Sequence, residues 1–265
     1  MDSPSLITAA VGAGLRFAPL AWRRAWGAML LCGLAFGGFW AQGVFSPTAP
    51  WRWGALLVVV TLGVVVAGGL YRLALGDERP GPVGLQWGGA EWRLSAVLAL
   101  SATFLSVLAL LAFVVVLAFA FAVASAGHGF VVAHPATWAS AVDGRGRAIV
   151  GCVGAVELFG LVWAAARISM GGAASIALGK VQVLASWPVT RGLVAPILIG
   201  GILLGGPPFA GAITLLGAVS VQAAPFPGLT LLAGGAAGLL LAGLWLPTSV
   251  GLMAYLYRHA GRALP

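Results

Sequence analysis

Acidic side chains are almost missing from this sequence. Its 265 residues hold six Asp and Glu against fourteen Lys and Arg, and 8% of the chain is charged where a soluble domain carries roughly a quarter. Catalytic or metal-binding carboxylates could come only from Asp2, Asp77, Glu78, Glu91, Asp143 and Glu157. Cysteine is scarcer still. Cys32 is expected well inside one apolar run and Cys152 near the outer end of another, so both read as small buried hydrophobes. Their expected depths argue against a disulfide between them, and no Cys/His spacing suits zinc. Alternation of apolar and polar residues is also lacking: positions 56–69 read LLVVVTLGVVVAGG, which argues against a membrane β-barrel.

What the chain has in abundance is uninterrupted apolar sequence, 61% of all residues. Runs near the ~20 residues that a helix needs to cross the hydrocarbon layer cover 26–45, 53–70, 94–126, 149–166, 193–221 and 229–256. The expected fold is therefore all-α, a polytopic membrane protein of six transmembrane helices treated as one domain over 1–265. The first run is longer than a signal peptide's apolar region and lacks a convincing cleavage site after it, so it is expected to be retained. The 193–221 run is interrupted by Gly205-Gly206-Pro207-Pro208. Halves of 13 to 15 residues would span only about 20–22 Å, so one crossing is expected, with 209–221 as a tilted continuation, an interfacial piece or a re-entrant segment.

The net charge of +8 raises the question of nucleic acid, but the basic residues stand singly or in pairs beside the runs and form no basic face. They read instead as topology signals. With the N-terminus inside, Arg16, Arg23, Arg24, Arg72, Arg79, Arg93, Arg167, Lys180, Arg191, Arg258 and Arg262 are cytoplasmic, and Arg52, Arg145 and Arg147 lie outside. An excess of this size in short loops places both termini in the cytoplasm.

A threefold pattern runs through the chain, in which a weakly polar amphipathic stretch leads to an aromatic and basic border and then to two spans. The units are helical hairpins at 6–72, 73–167 and 168–258. Their borders are Trp22 and Arg23, Tyr71 and Arg72, Trp92 and Arg93, Arg167, Trp187 and Arg191, and Tyr257 and Arg258, residue types that prefer the headgroup level. Interfacial amphipathic helices are expected between hairpins, most clearly over 169–186.

The run Arg167-Ile168-Ser169-Met170, then a small-residue helix and Ser186-Trp187-Pro188-Val189-Thr190-Arg191-Gly192, together with Leu70-Tyr71-Arg72-Leu73-Ala74-Leu75-Gly76, resembles one known module. It is similar to the six-helix membrane domain of bacterial glycerophosphoryl diester phosphodiesterases and of related stand-alone membrane proteins of unknown function. Pro188 departs from the pattern. The resemblance implies a bacterial membrane module without a reaction, because the soluble phosphodiesterase domain and its metal site are not in this sequence.

Glu157, near the centre of the fourth run, is the one residue that suggests intramembrane chemistry. A carboxylate there costs at least ~2.5–3.5 kcal/mol on insertion scales, so it is a candidate proton or ion site, with Ser101, Thr103 or Ser106 as helpers. The alternative is a protonated Glu bonded to a neighbouring helix. His128, His134 and Asp143, with Arg145 and Arg147, share an outer loop, too loosely spaced for a dependable metal site. No hydrolase, P-loop or zincin motif stands out. The four-residue glycine spacings Gly33–Gly37, Gly201–Gly205 and Gly234–Gly238 suggest close helix packing inside the molecule. The sequence thus points to a non-enzymatic scaffold or partner subunit of the bacterial inner membrane, with no catalytic residues, metal or cofactor, that contacts lipids and a protein partner or further copies of itself. The rival reading is a small transporter or channel using Glu157.

Overall fold

Length and apolarity dominate the local structure, and every regular element among the described residues is helical. The computed structural model describes residues 3–45, 50–76, 85–127, 132, 142–184, 186–222 and 227–263. Along them run α1 (Ser3–Phe45), α2 (Arg52–Leu75), α3 (Gly89–Ser125), α4 (Gly144–Ile168), α5 (Gly171–Leu178), α6 (Ser186–Val189), α7 (Val194–Gln222) and α8 (Pro227–Leu239). A π-helical stretch (Leu240–Trp245) leads from α8 into α9 (Leu246–Ala263). Six stretches are long and apolar enough to cross a membrane: Pro4–Trp40, Arg52–Leu75, Gly89–Ser125, Gly144–Leu178, Val194–Ala218 and Gly228–Gly261. They correspond one to one with the six expected runs. By helix length and composition the chain is a multi-pass membrane protein.

The interrupted fifth run is one helix. α7 continues through Pro207 and Pro208, so 209–221 prolongs it and adds no separate crossing. Each proline removes one donor from the helical ladder. Gly206 eases the remaining conflict, having no Cβ to meet the ring that follows.

Two compact units emerge, one of Met1–Leu98 with Ser169–Pro265 and one of Ala99–Ile168. In the first, α1 is the hub, touching α2, α7, α8, the π-helical stretch and α9. Its buried residues Leu6, Ala10, Gly14, Phe17, Ala21, Ala25, Ala28 and Cys32 recur every three or four positions and make one continuous stripe. The amphipathic stretch before the first span is therefore one arm of α1. The arms meet at Ala25, whose backbone leaves the helical region (φ −134°, ψ 23°).

Glycine lets this hub approach its neighbours. Gly14 lies against Gly251 of α9, and Gly33 and Gly37 of α1 lie against Gly238 and Gly234 of α8. A Cβ on Gly37 would stand 2.5 Å from the backbone nitrogen of Gly235. Two of the three glycine motifs thus pack against each other within the molecule, as expected. These contacts run α1 antiparallel to α8 and α9.

The segment 169–186 is shorter and deeper than the surface helix expected there. The helix ends at Leu178, Gly179 turns the chain with φ 66°, and Gly171 to Ser175 are buried. Small side chains explain the depth. A Cβ on Gly172 would already stand 3.1 Å from Leu94 and 3.4 Å from the Tyr71 ring. The buried Ser175 hydroxyl accepts the Gln182 backbone N–H at 2.7 Å, closing the turn.

In the second unit, the less exposed residues of α4, Val150, Val153, Gly154, Glu157, Leu161 and Ala164, share one face, while Val156, Leu158 and Phe159 are exposed. Exposed apolar faces of this kind suit contact with hydrocarbon.

Candidate functional site

Charged side chains stand out at two places among the described residues, one in each unit, and a largely apolar cavity forms a third feature. At the first place, α2 ends and α3 begins. Arg72 stands in the last turn of α2, where a cation is favoured by the helix dipole. Glu91 stands in the first turn of α3, where an anion is favoured. The Arg72 Nη1 donates to Glu91 Oε1, and both residues are buried. The other carboxylate oxygen, Oε2, accepts the Gly88 N–H at 2.8 Å. This is half of a capping box, an N3 glutamate reaching back to the N-cap backbone.

Glu91 fits only because Gly68 on α2 has no side chain, since a Cβ there would stand 2.7 Å from Oε1. Gly76 closes α2 in the left-handed region (φ 100°), its N–H turned to the carbonyls of Arg72 and Leu73. Arg258 of α9 donates to the Ala74 carbonyl, one of the last in α2. One end of the first unit thus holds Arg72, Glu91 and Arg258, each engaged in tying helix ends together.

The proposed headgroup anchors therefore divide. Arg23, Trp92, Arg191 and Arg258 are exposed, and Trp22, Arg93, Trp187 and Tyr257 are half-buried. Tyr71, Arg72 and Arg167 are buried. The Trp92 ring meets Trp87 edge to face at 5.3 Å. Arg167 lies 5.5 Å from the Trp163 ring centroid, within cation–π range. The Trp22 indole N–H donates to the Gly243 carbonyl at 2.7 Å.

The second place is Glu157 on α4, half-buried and without a hydrogen-bond or ion-pair partner among the described residues. The expected helpers are not joined to it: Thr103 donates to the Ala99 carbonyl of its own helix at 2.9 Å. Asp143 caps α4, its Oδ1 accepting the Gly146 N–H at 2.6 Å, the ordinary task of an aspartate at that position. His128 and His134 lie outside the described residues, as do Asp2, Asp77 and Glu78. Among the described residues no three His, Cys, Asp or Glu side chains are grouped as metal ligands.

Sequence reasoning missed the pairing of Arg72 with Glu91. The signal was present in Gly88-Gly89-Ala90-Glu91, a helix start with its acid at the capping position.

The cavity, about 430 Å³, lies within the first unit between α1, α2, α7 and the π-helical stretch, with Leu98 of α3, Gly238 of α8 and Leu246 of α9 also on its wall. Hydrocarbon side chains and ring faces make up nearly all of its wall.

No family model, no curated protein and no solved structure matches the chain. The resemblance to the six-helix domain is thus one of short motifs, and six membrane-crossing helices are the statement that the structure carries.

Proposed function

We propose that this chain is a non-enzymatic scaffold or partner subunit of a bacterial inner membrane, working through contacts with lipid and with another membrane protein or further copies of itself. What carries the reading is the use of charge in the first unit. Arg72, Glu91 and Arg258 fix helix ends, an arrangement that stabilises a platform and leaves these groups little freedom for turnover.

A cytoplasmic location for both termini is part of the proposal. It is supported by the excess of basic residues on that side and by the antiparallel course of α1 against α8 and α9, which brings the ends of α1 and α9 to the same side of their bundle. The bacterial inner membrane follows from the resemblance in sequence. Purification in mild detergent is the test: a lipid or membrane protein retained in constant ratio is expected, and a chain recovered free of both would overturn the reading. A C-terminal reporter fusion should be active only on the cytoplasmic side.

One observation favours the transporter reading, the unpartnered half-buried Glu157 inside a span. Ion or proton flux in proteoliposomes that disappears with Glu157→Gln would replace the scaffold by a transporter.

A further inference from the structure

We infer that the cavity in the first unit is a binding site for one hydrocarbon chain, the acyl tail of a membrane lipid or of a free fatty acid. The inference deepens the lipid-contacting part of the function proposed above and rests on that reading.

The cavity's position specifies the medium it meets. Val60, Leu98 and Phe209 line it and are also exposed on the outside of membrane-crossing helices. Its mouth therefore opens on lipid tails. Water is a poor occupant, because a buried water needs two to four polar partners and the wall offers almost none. Left empty, the wall atoms would lose dispersion contacts on one side. At about 430 Å³ the space falls in the ~300–1,000 Å³ range of sites that enclose small ligands.

The wall is also more than a gap between smooth helices. The π-helical turn from Leu240 to Trp245 places Leu241, Ala242 and Trp245 on it, and such turns are frequent at functional sites. Trp22 secures that turn from behind through the Gly243 carbonyl. Phe209 braces the Trp245 ring edge to face, with centroids 4.9 Å apart. Across the cavity Gly63 contributes no side chain, and a Cβ built on it would meet nothing within 4 Å. The sequence leaves room at that point, in a helix otherwise rich in valine and leucine.

The test uses the whole protein in lipid nanodiscs containing a phospholipid with a photoactivatable diazirine in mid-chain, and in a parallel arm a fatty acid bearing the same group. Labelling should saturate at one chain per protein, and the label should map to peptides carrying Val60, Leu241 or Trp245. The arm with the higher affinity identifies the source of the chain. Gly63→Phe should lower saturable labelling at least tenfold, and Gly38→Phe, which also points into open space but lies outside the cavity, should leave it unchanged. Ala67→Leu, on the same wall, serves if Gly63→Phe does not fold. Labelling that rises in proportion to lipid content without saturating, or that is indifferent to a folded cavity-filling variant, would overturn the inference. The broader reading fails separately, if the wild-type protein retains neither lipid nor partner on purification.

Discussion

Trp22 and Gly243 are 221 positions apart in the chain, and the indole N–H of one donates to the carbonyl of the other at 2.7 Å. The bond answers a local deficit. Pro247 has no N–H, and in a regular α-helix its donor would have gone to the residue four before it, Gly243. Hydrocarbon offers no water to replace it. Trp22→Phe keeps the ring and removes the donor, and is expected to lower stability by about 1 kcal/mol, in the range of interhelical hydrogen bonds in membranes. Unfolding in mixed detergent micelles would measure it, and an unchanged midpoint would contradict the role.

For Arg72 and Glu91 the expected outcome is strongly non-additive. Arg72→Met or Glu91→Leu alone breaks a buried pair and should destabilise by about 3–5 kcal/mol. The double replacement Arg72→Met with Glu91→Leu should cost less than either single change, since no buried charge is then left uncompensated. A double-mutant cycle on unfolding free energies decides the matter, and simple additivity would show that the two residues act independently.

Gly68→Ala should act through the same pair. The added methyl group would stand 2.7 Å from Glu91 Oε1, displacing the carboxylate from Arg72 and lowering stability by roughly 1–3 kcal/mol, the usual effect of overpacking. In a Glu91→Ala background the obstacle is gone, and the same substitution should be nearly silent. Equal effects in both backgrounds would count against the contact.

Neighbouring glycines on α1 should behave in opposite ways. Gly37→Ala forces a Cβ to 2.5 Å from the Gly235 nitrogen, whereas a Cβ on Gly38 meets nothing within 4 Å. The first should destabilise by about 1–3 kcal/mol. The second should be neutral or gain up to ~1 kcal/mol from helix propensity. Thermal unfolding of the two variants side by side is the measurement, and similar values would argue against the packing of α1 on α8.

The six membrane-crossing stretches were legible because apolar length is a property of each segment alone. Their partners were not. Arg72 and Glu91 belong to different helices, and an arginine beside a tyrosine reads equally well as a headgroup anchor until Glu91 is brought against it. The 169–186 segment misled for a related reason. Its Gly-Gly-Ala-Ala-Ser start carries little polarity of either sort, and only the proximity of Tyr71 and Leu94 makes it core. Glu157 was recognisable as unusual, but whether a second group met it depended on tertiary structure. The glycine spacings lay between these cases, since they announced close packing while leaving the opposite helix unnamed.

The contacts of α1 also set an order of events during biosynthesis. Its Gly37, Gly33 and Gly14 meet Gly234, Gly238 and Gly251, and its Trp22 meets Gly243, all of them in α8, the π-helical stretch or α9 and far from α1 along this sequence. Within this sequence α1 precedes α8 and α9, so the part of its stripe that meets them is covered only after they are made, a long-range closure of the kind that slows folding. Until then the glycine face of α1 that meets α8 and α9 stays uncovered, although α2 and α7 can already pack on the rest of the helix, and truncation before residue 227 would leave that face bare for the life of the fragment.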